Sequence, residues 1–224
     1  MSDAKISVSK KAINHIGKKL TKDMVLGIGT GSTVNFFISE LAKYKNNFYG
    51  AVSSSEASTK LLQEIGIEVF SLNDVNEVVY YIDGADEVSP ENYLIKGGGG
   101  AHTREKIIAS ASNKFICIVD KSKLVKKLGE FPLPVEVIPE SRSLVARKIT
   151  SLGGTPIYRK GFTTDQGNQI LDVKDIDISQ PESLEALINN IPGVVDNGIF
   201  AFNKPKIVLV SDWFVFIGVS LFHQ

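Results

Sequence analysis

Met24-Val25-Leu26-Gly27-Ile28-Gly29-Thr30-Gly31-Ser32-Thr33 is the stretch that decides the fold. Its first half is a short apolar run, read as a strand. Its second half is a glycine turn, with Ser32 placed to cap a helix. That helix is expected to reach about Tyr44, with Val34, Phe37, Ile38 and Leu41 on one face. A strand that turns directly into a helix is half of a βαβ unit. The neighbouring segments repeat the pattern. A helix is expected around 7–20, a strand at 49–53 and a helix at 56–65 stopped by Gly66. Further strands are expected at 68–70 and 78–82, then a helix at 103–112 and a strand at 114–119. Such alternation predicts an α/β fold: a Rossmann-like parallel sheet with helices on both faces.

The pattern changes after Asp120. Phe131-Pro132-Leu133-Pro134 reads as a linker. Segments near 134–138, 142–152, 155–158, 169–174, 182–190 and 194–202 then follow the order β-α-β-β-α-β. This is the order of a ferredoxin-like unit. Residues 206–210 read as a strand returning to the first sheet. The expected organisation is a main α/β domain from 1–130 and 205–224, interrupted by a small α+β domain at 131–204.

Composition narrows the function. Of 224 residues, 43% are hydrophobic, enough for a substantial core. Lys plus Arg and Asp plus Glu both number 25, so no basic surplus points to nucleic acid. No segment reads as a membrane span. The N-terminus carries no apolar signal region, and the one cysteine, Cys117, sits in the apolar run 115–119. These features predict a cytoplasmic protein with a buried thiol.

Three stretches carry chemistry. The loop 27–33 is not a dinucleotide fingerprint, because Ser32 replaces the third glycine and no acid closes the next strand. Nor is it a Walker loop, because no lysine precedes Ser32 or Thr33. Backbone N–H groups at a helix start, with Thr30 and Thr33, suit a phosphate or sugar hydroxyl. Ser53-Ser54-Ser55 ends the next strand, where it would either line the same crevice or cap the following helix. Asp83-Gly84-Ala85-Asp86-Glu87 crowds three acids behind an apolar strand. Facing carboxylates in a dry site raise one pKa and suit proton transfer; a solvated turn or a metal site would use the same residues. Lys96-Gly97-Gly98-Gly99-Gly100 joins a cation to unhindered N–H groups able to meet an oxyanion. Glu105 follows in the first turn of a helix, either as a base or as a dipole partner capped by Thr103. Lys121, Lys123, Lys10 and Lys11 are candidate anion contacts, and His102 beside the glycine loop is a weaker base candidate.

In this order and spacing, Gly-Ile-Gly-Thr-Gly-Ser-Thr, the serine run, Asp-Gly-Ala-Asp-Glu, Lys-Gly-Gly-Gly and Thr-Arg-Glu-Lys-Ile-Ile-Ala resemble the type A ribose-5-phosphate isomerases. Residues 131–139 and 191–195 are similar too. The resemblance implies interconversion of ribose 5-phosphate and ribulose 5-phosphate, with no metal or organic cofactor, in dimers or tetramers. It implies Glu105 as proton acceptor and Asp83 and Asp86 as sugar-contacting acids. It implies substrate contacts from Thr30, Gly31, Ser32, Thr33, Gly84, Ala85, Lys96, Gly97, Gly98, Gly99 and Lys123. Two departures stand out: Gly100 with His102, and the apolar run 208–222, whose aromatics are expected to bury at a subunit interface. A sugar-phosphate-binding regulator without a base, or an acyl-CoA transferase with a glutamate nucleophile, are the alternatives.

Overall fold

The structure is a computed structural model that describes residues 2–211 and the backbone of 216–217. In chain order, the first layer contains α1 (Ser2–Ile16), β1 (Val25–Ile28), α2 (Ser32–Leu41), β2 (Gly50–Ser53) and α3 (Glu56–Glu64). It continues with β3 (Val78–Asp83), a hairpin of β4 (Glu87–Val88) and β5 (Leu94–Ile95), α4 (His102–Ala111) and β6 (Ser112–Val119). The second layer contains β7 (Leu133–Val137), α5 (Arg142–Ser151), β8 (Thr155–Tyr158), β9 (Gln169–Lys174), α6 (Pro181–Asn189) and β10 (Val194–Asn197). The short β11 (Ile199–Phe200) leads back to β12 (Ile207–Val210), and β13 (Phe216–Ile217) pairs with it.

The main sheet has the order β13-β12-β6-β3-β1-β2, and every pairing except β13 with β12 is parallel. Period-two alternation sorts its side chains. Leu26, Ile28, Tyr80, Ile82, Ile116 and Ile118 pack with α1 and α2 on one face. Val25, Tyr81, Phe115, Cys117 and Val119 pack with Ile108 of α4 and Phe200 on the other. The chain leaves β1 for β2 at one edge, then returns to place β3 on the other side of β1. The crevice beyond the carboxyl ends of β1 and β3 is therefore a topological switch point, where open α/β sheets bind ligands.

The second sheet has the order β10-β7-β9-β8 and is antiparallel throughout, the ferredoxin-like arrangement expected. Its core is Val135, Val137, Leu171 and Val173 against Val145, Ile149, Leu184 and Ile188 of the two helices.

The structure departs from the sequence reading at particular points. Residues 68–70 form a single bridge, Val69 with Ala51 at the β2 edge, and the chain then turns away into the 3-10 turn Leu72–Asp74. Gly31, at φ +114°, is the N-cap of α2; the Ser32 side chain does not cap it. Leu133 and Pro134 belong to β7 rather than to a linker. The expected strand at 194–202 breaks at Gly198, whose N–H bonds Pro134 O and whose carbonyl accepts from Lys96 N. Beyond the break β11 pairs with β5 in a third small sheet, β11-β5-β4, which joins the two layers beside Lys96. In the apolar run, Val208, Leu209 and Val210 are buried sheet residues; the aromatic interface expected further on lies outside the described residues.

Candidate active site

Asp83 ends β3 two residues after Tyr81, so both side chains face α4. Asp83 is fully buried and fully partnered. Its Oδ1 accepts from Thr30 N at 3.1 Å and Gly84 N at 2.7 Å. Its Oδ2 accepts from the Tyr81 hydroxyl and sits 2.8 Å from Lys96 Nζ. Gly29 is what lets the carboxylate lie against the first loop. A Cβ there would stand 2.0 Å from Asp83 Cγ.

Lys96 follows β5 and runs its side chain under the glycine loop. Its ammonium donates to Gly84 O at 2.6 Å and lies 3.2 Å from Glu105 Oε2. It is buried, and burial alone would lower its pKa; the Asp83 and Glu105 carboxylates outweigh that and hold it raised. Glu105 is one turn inside α4, its N–H bonded to Ala101 O. The helix start, which alone would favour the charged form, does not decide its proton affinity. Burial pushes the carboxyl up to about 8, and the Asp83 charge adds to the rise against the pull of Lys96. The 3.2 Å approach to Lys96 is an ion-pair contact, not an aligned hydrogen bond, and Oε2 makes no hydrogen bond among the described residues.

Above this triad opens a cavity of about 170 Å³. Residues 30–33, 84–86, 96–99, Glu105 and Lys123 line it, so the predicted site residues converge, with Asp83 directly beneath. Asp86 is half-buried and accepts from Gly98 N at 2.8 Å, which ties the acidic turn to the glycine loop. At the far end, the α2 N-terminus and Lys123 offer positive potential. Lys5 joins them, its Nζ 2.7 Å from Ser32 Oγ. Sequence reading missed Lys5, because α1 begins at Ser2, earlier than expected, and nothing local links its first turn to α2. Tyr81 was missed as well, although its spacing two residues before Asp83 on a strand was a legible signal.

Other candidates serve elsewhere. Glu87, the third acid of its cluster, is buried and accepts from Gly129 N at 2.7 Å and Phe131 N at 2.5 Å, anchoring the entry to β7. The serine run braces the first loop instead of lining the cavity. Ser54 and Ser55 hydroxyls lie 2.7 and 2.9 Å from Thr30 Oγ1, and Ser55 caps α3. Thr103 bonds Glu136 and does not cap Glu105's helix, whose N-cap is Ala101. His102 is buried away from the cavity, and burial drives its pKa down to about 4. Lys11 bonds the carbonyls of Val210 and Ser211. Lys10 and Lys121 are exposed and do not line the cavity. Cys117 is the buried thiol expected, pushed up to about 12 by burial. Among the described residues no three His, Cys, Asp or Glu side chains are grouped to hold a metal ion, and no helix is long and apolar enough to cross a membrane.

Comparison with known proteins bears on the family and the fold. The family model of ribose 5-phosphate isomerase A (phosphoriboisomerase A) matches residues 50–212. A ribose-5-phosphate isomerase A of Legionella pneumophila (strain Corby) is 56% identical over 94% of this chain and 96% of its own. The crystal structure of ribose 5 phosphate isomerase A from Neisseria gonorrhoeae superposes with a TM-score of 0.90 at 47% identity, covering 96% of each chain. A D-ribose-5-phosphate isomerase in complex with phospho-erythronic acid superposes at 0.86 with 37% identity, over 92% of this chain and 93% of that one. The chain belongs to the ribose 5-phosphate isomerase A family.

Proposed function

We propose that this chain interconverts D-ribose 5-phosphate and D-ribulose 5-phosphate through an enediolate, in the non-oxidative branch of the pentose phosphate pathway. The observation that carries the reading is the buried Asp83–Lys96–Glu105 triad, with Glu105 Oε2 unbonded at the cavity floor. The phosphate docks at the α2 N-terminus, on Thr30, Gly31, Ser32 and Thr33 with Lys123 and Lys5. The sugar then reaches Gly84, Ala85, Asp86 and the loop of Gly97, Gly98 and Gly99.

The furanose opens first, with Asp83 as acid and base acting through the Lys96 ammonium, which it touches at 2.8 Å and which lines the cavity. Ionised Glu105 takes the proton from C2, and the electron pair of that C–H bond forms the C1–C2 double bond while the carbonyl π pair moves to O1. Lys96 and the glycine-loop N–H groups meet that negative charge. Asp86 moves the O2 proton to O1, and Glu105 returns its proton to C1 as the C2 carbonyl forms. A carboxyl raised to about 8 is a stronger base once ionised than an ordinary glutamate, which is what abstraction beside a carbonyl requires.

The same reading takes 131–204 as a small domain set into the main one, and the protein as a cytoplasmic homodimer or homotetramer that needs no cofactor. The single cysteine supports the cytoplasmic setting, and the aromatic residues in the sequence of the apolar run 208–222 support the homo-oligomer. The direct test is isomerisation of ribose 5-phosphate with a chelator present. Undiminished turnover is expected. Absence of turnover with or without added divalent ions would overturn the activity.

A further inference from the structure

One charged side chain beside the cavity has no part in the mechanism above. Arg159 follows β8, and its backbone N–H bonds Ile170 O at 2.9 Å. Its guanidinium is held from one side by Asp172, with Nε 2.9 Å from Oδ2 and Nη2 2.5 Å from Oδ1. From the other side it reaches the glycine loop: Nη1 and Nη2 each donate to Gly97 O at 3.3 Å, and Nη1 to Gly98 O at 3.2 Å. The Phe162 ring lies 5.3 Å from the guanidinium carbon and fills the space beside Gly100, where a Cβ would come within 2.2 Å of it. The loop has no side chains of its own; Asp86 holds its Gly98 N–H, and the connection between β8 and β9, through Arg159 and Phe162, holds its carbonyls and its outer side.

The N–H groups of that loop are not equivalent. Gly98 N is already engaged by Asp86, and Gly100 N bonds Gly97 O at 2.9 Å. Gly99 N makes no hydrogen bond among the described residues, and Gly99 lines the cavity. The peptide between Gly98 and Gly99 is trans, so its C=O and N–H point in opposite directions. Drawing Gly98 O toward Arg159 turns Gly99 N–H to the opposite side. Ordering a run of four glycines costs more conformational freedom than ordering any other residues, and this grip offsets that cost.

We propose that Arg159, braced by Asp172, is a positioning residue for the isomerisation: it fixes the Gly97–Gly99 peptides so that the Gly99 N–H meets charge developing on the substrate oxygen. The proposal rests on the reading of the site given above. Arg159 touches no substrate, and it acts through the loop alone. A fixed donor aimed at developing charge stabilises the transition state more than the ground state. Its loss therefore falls on kcat.

The test uses the full-length protein with Arg159→Met, Arg159→Lys and Asp172→Asn, each checked for its melting temperature. Turnover of ribose 5-phosphate is measured with calorimetric affinities for two probes. Phospho-erythronic acid presents a carboxylate where the enediolate charge develops; ribitol 5-phosphate presents only hydroxyls there. For Arg159→Met, kcat is expected to fall by about 10–100-fold, less than the roughly 100–1000-fold of an oxyanion donor removed outright because the Gly99 N–H is misaimed and not lost, with KM changed by less than about 2-fold. Affinity for phospho-erythronic acid falls in parallel, and affinity for ribitol 5-phosphate is kept. Arg159→Lys recovers little, because an ammonium is a point charge without the planar fork. Asp172→Asn shows the same pattern at smaller size, and it carries the test if Arg159→Met does not fold. Equal losses for both probes, a raised KM with kcat kept, or no effect in either folded variant would overturn the proposal. Wild type without isomerase activity would instead overturn the reading of the site.

Discussion

Asp83→Asn isolates the electrostatics of the triad. The substitution keeps the shape and hydrogen-bonding reach of the side chain but removes its charge. Asp83 and Glu105 touch the same ammonium, at 2.8 and 3.2 Å, so their nearest oxygens are within about 6 Å of each other. At that distance and an effective dielectric constant of about 20, like charges repel by roughly 3 kcal/mol, or about 2 pKa units. The Glu105 carboxyl, raised to about 8 in the native site, should therefore fall to about 6 in the variant. The assay is the pH profile of kcat/KM, whose acid limb reports the free enzyme's base. Wild type should lose about tenfold per pH unit below about 8. The variant's limb should move down by about 2 units, whatever happens to its plateau through impaired ring opening. The phosphate's own second ionisation, near 6, enters both profiles and does not create the difference. A limb that stays in place or moves upward would refute the assignment of Glu105 as the titrating base or Asp83 as the charge that raises it.

The remaining predictions concern other parts of the site. Glu105 favours the folded state below its unfolded pKa of 4.5, and that contribution is lost as pH rises toward about 8; Glu105→Gln should therefore gain melting temperature over wild type progressively between those pH values, and a constant difference would contradict the raised pKa. Lys123→Met and Lys5→Met should each raise KM by roughly 10–100-fold with little loss of kcat, the scale of one charged hydrogen bond to phosphate, read in steady-state kinetics. Lys106, buried against Glu185 at 2.9 Å and Asp196 at 2.8 Å, holds α4 to the second layer. Lys106→Met leaves both buried acids with neutral donors alone, the Asn189 amide and the Asn197 N–H for Asp196 and the N–H groups of Ala201 and Phe202 for Glu185, and should cost roughly 3–5 kcal/mol in urea unfolding; a loss below about 1 kcal/mol would show that those donors suffice. Gly29→Ala drives a methyl into Asp83 and should cut kcat/KM by at least about 100-fold with the secondary structure kept on circular dichroism.

Much of this was legible because local patterns and tertiary demands agree. The run 24–33 reads as strand, turn and helix, and its turn and helix start, residues 30–33, line the cavity. The spacing of apolar and polar segments after Asp120 revealed the ferredoxin-like order, since each element there is a separate amphipathic unit. What escaped reading depends on contacts distant in the chain. Gly198 breaks β10 from β11 because it pairs on one side with Pro134 and on the other with Lys96, neither nearby in sequence. Glu87 looks like its neighbours Asp83 and Asp86, yet it faces the backbone N–H groups of 129 and 131 and is committed to structure. The pKa of Glu105 was ambiguous for the same reason. Its helix position argues for a depressed value, and only the burial supplied by the surrounding layers reverses the sign. Arg104 shows the same dependence, reaching Glu56 at 2.8 Å across to α3.

The central claim is that Glu105 carries the carbon-bound proton. It is tested most directly by isomerising ribose 5-phosphate in heavy water and following C1 and C2 by proton NMR, for wild type and Glu105→Gln. Wild type should place solvent deuterium at C1 of ribulose 5-phosphate and exchange the C2 proton of the aldose. Glu105→Gln should bind the sugar phosphate with nearly unchanged affinity and catalyse no exchange at either carbon. Exchange retained by Glu105→Gln would contradict the account.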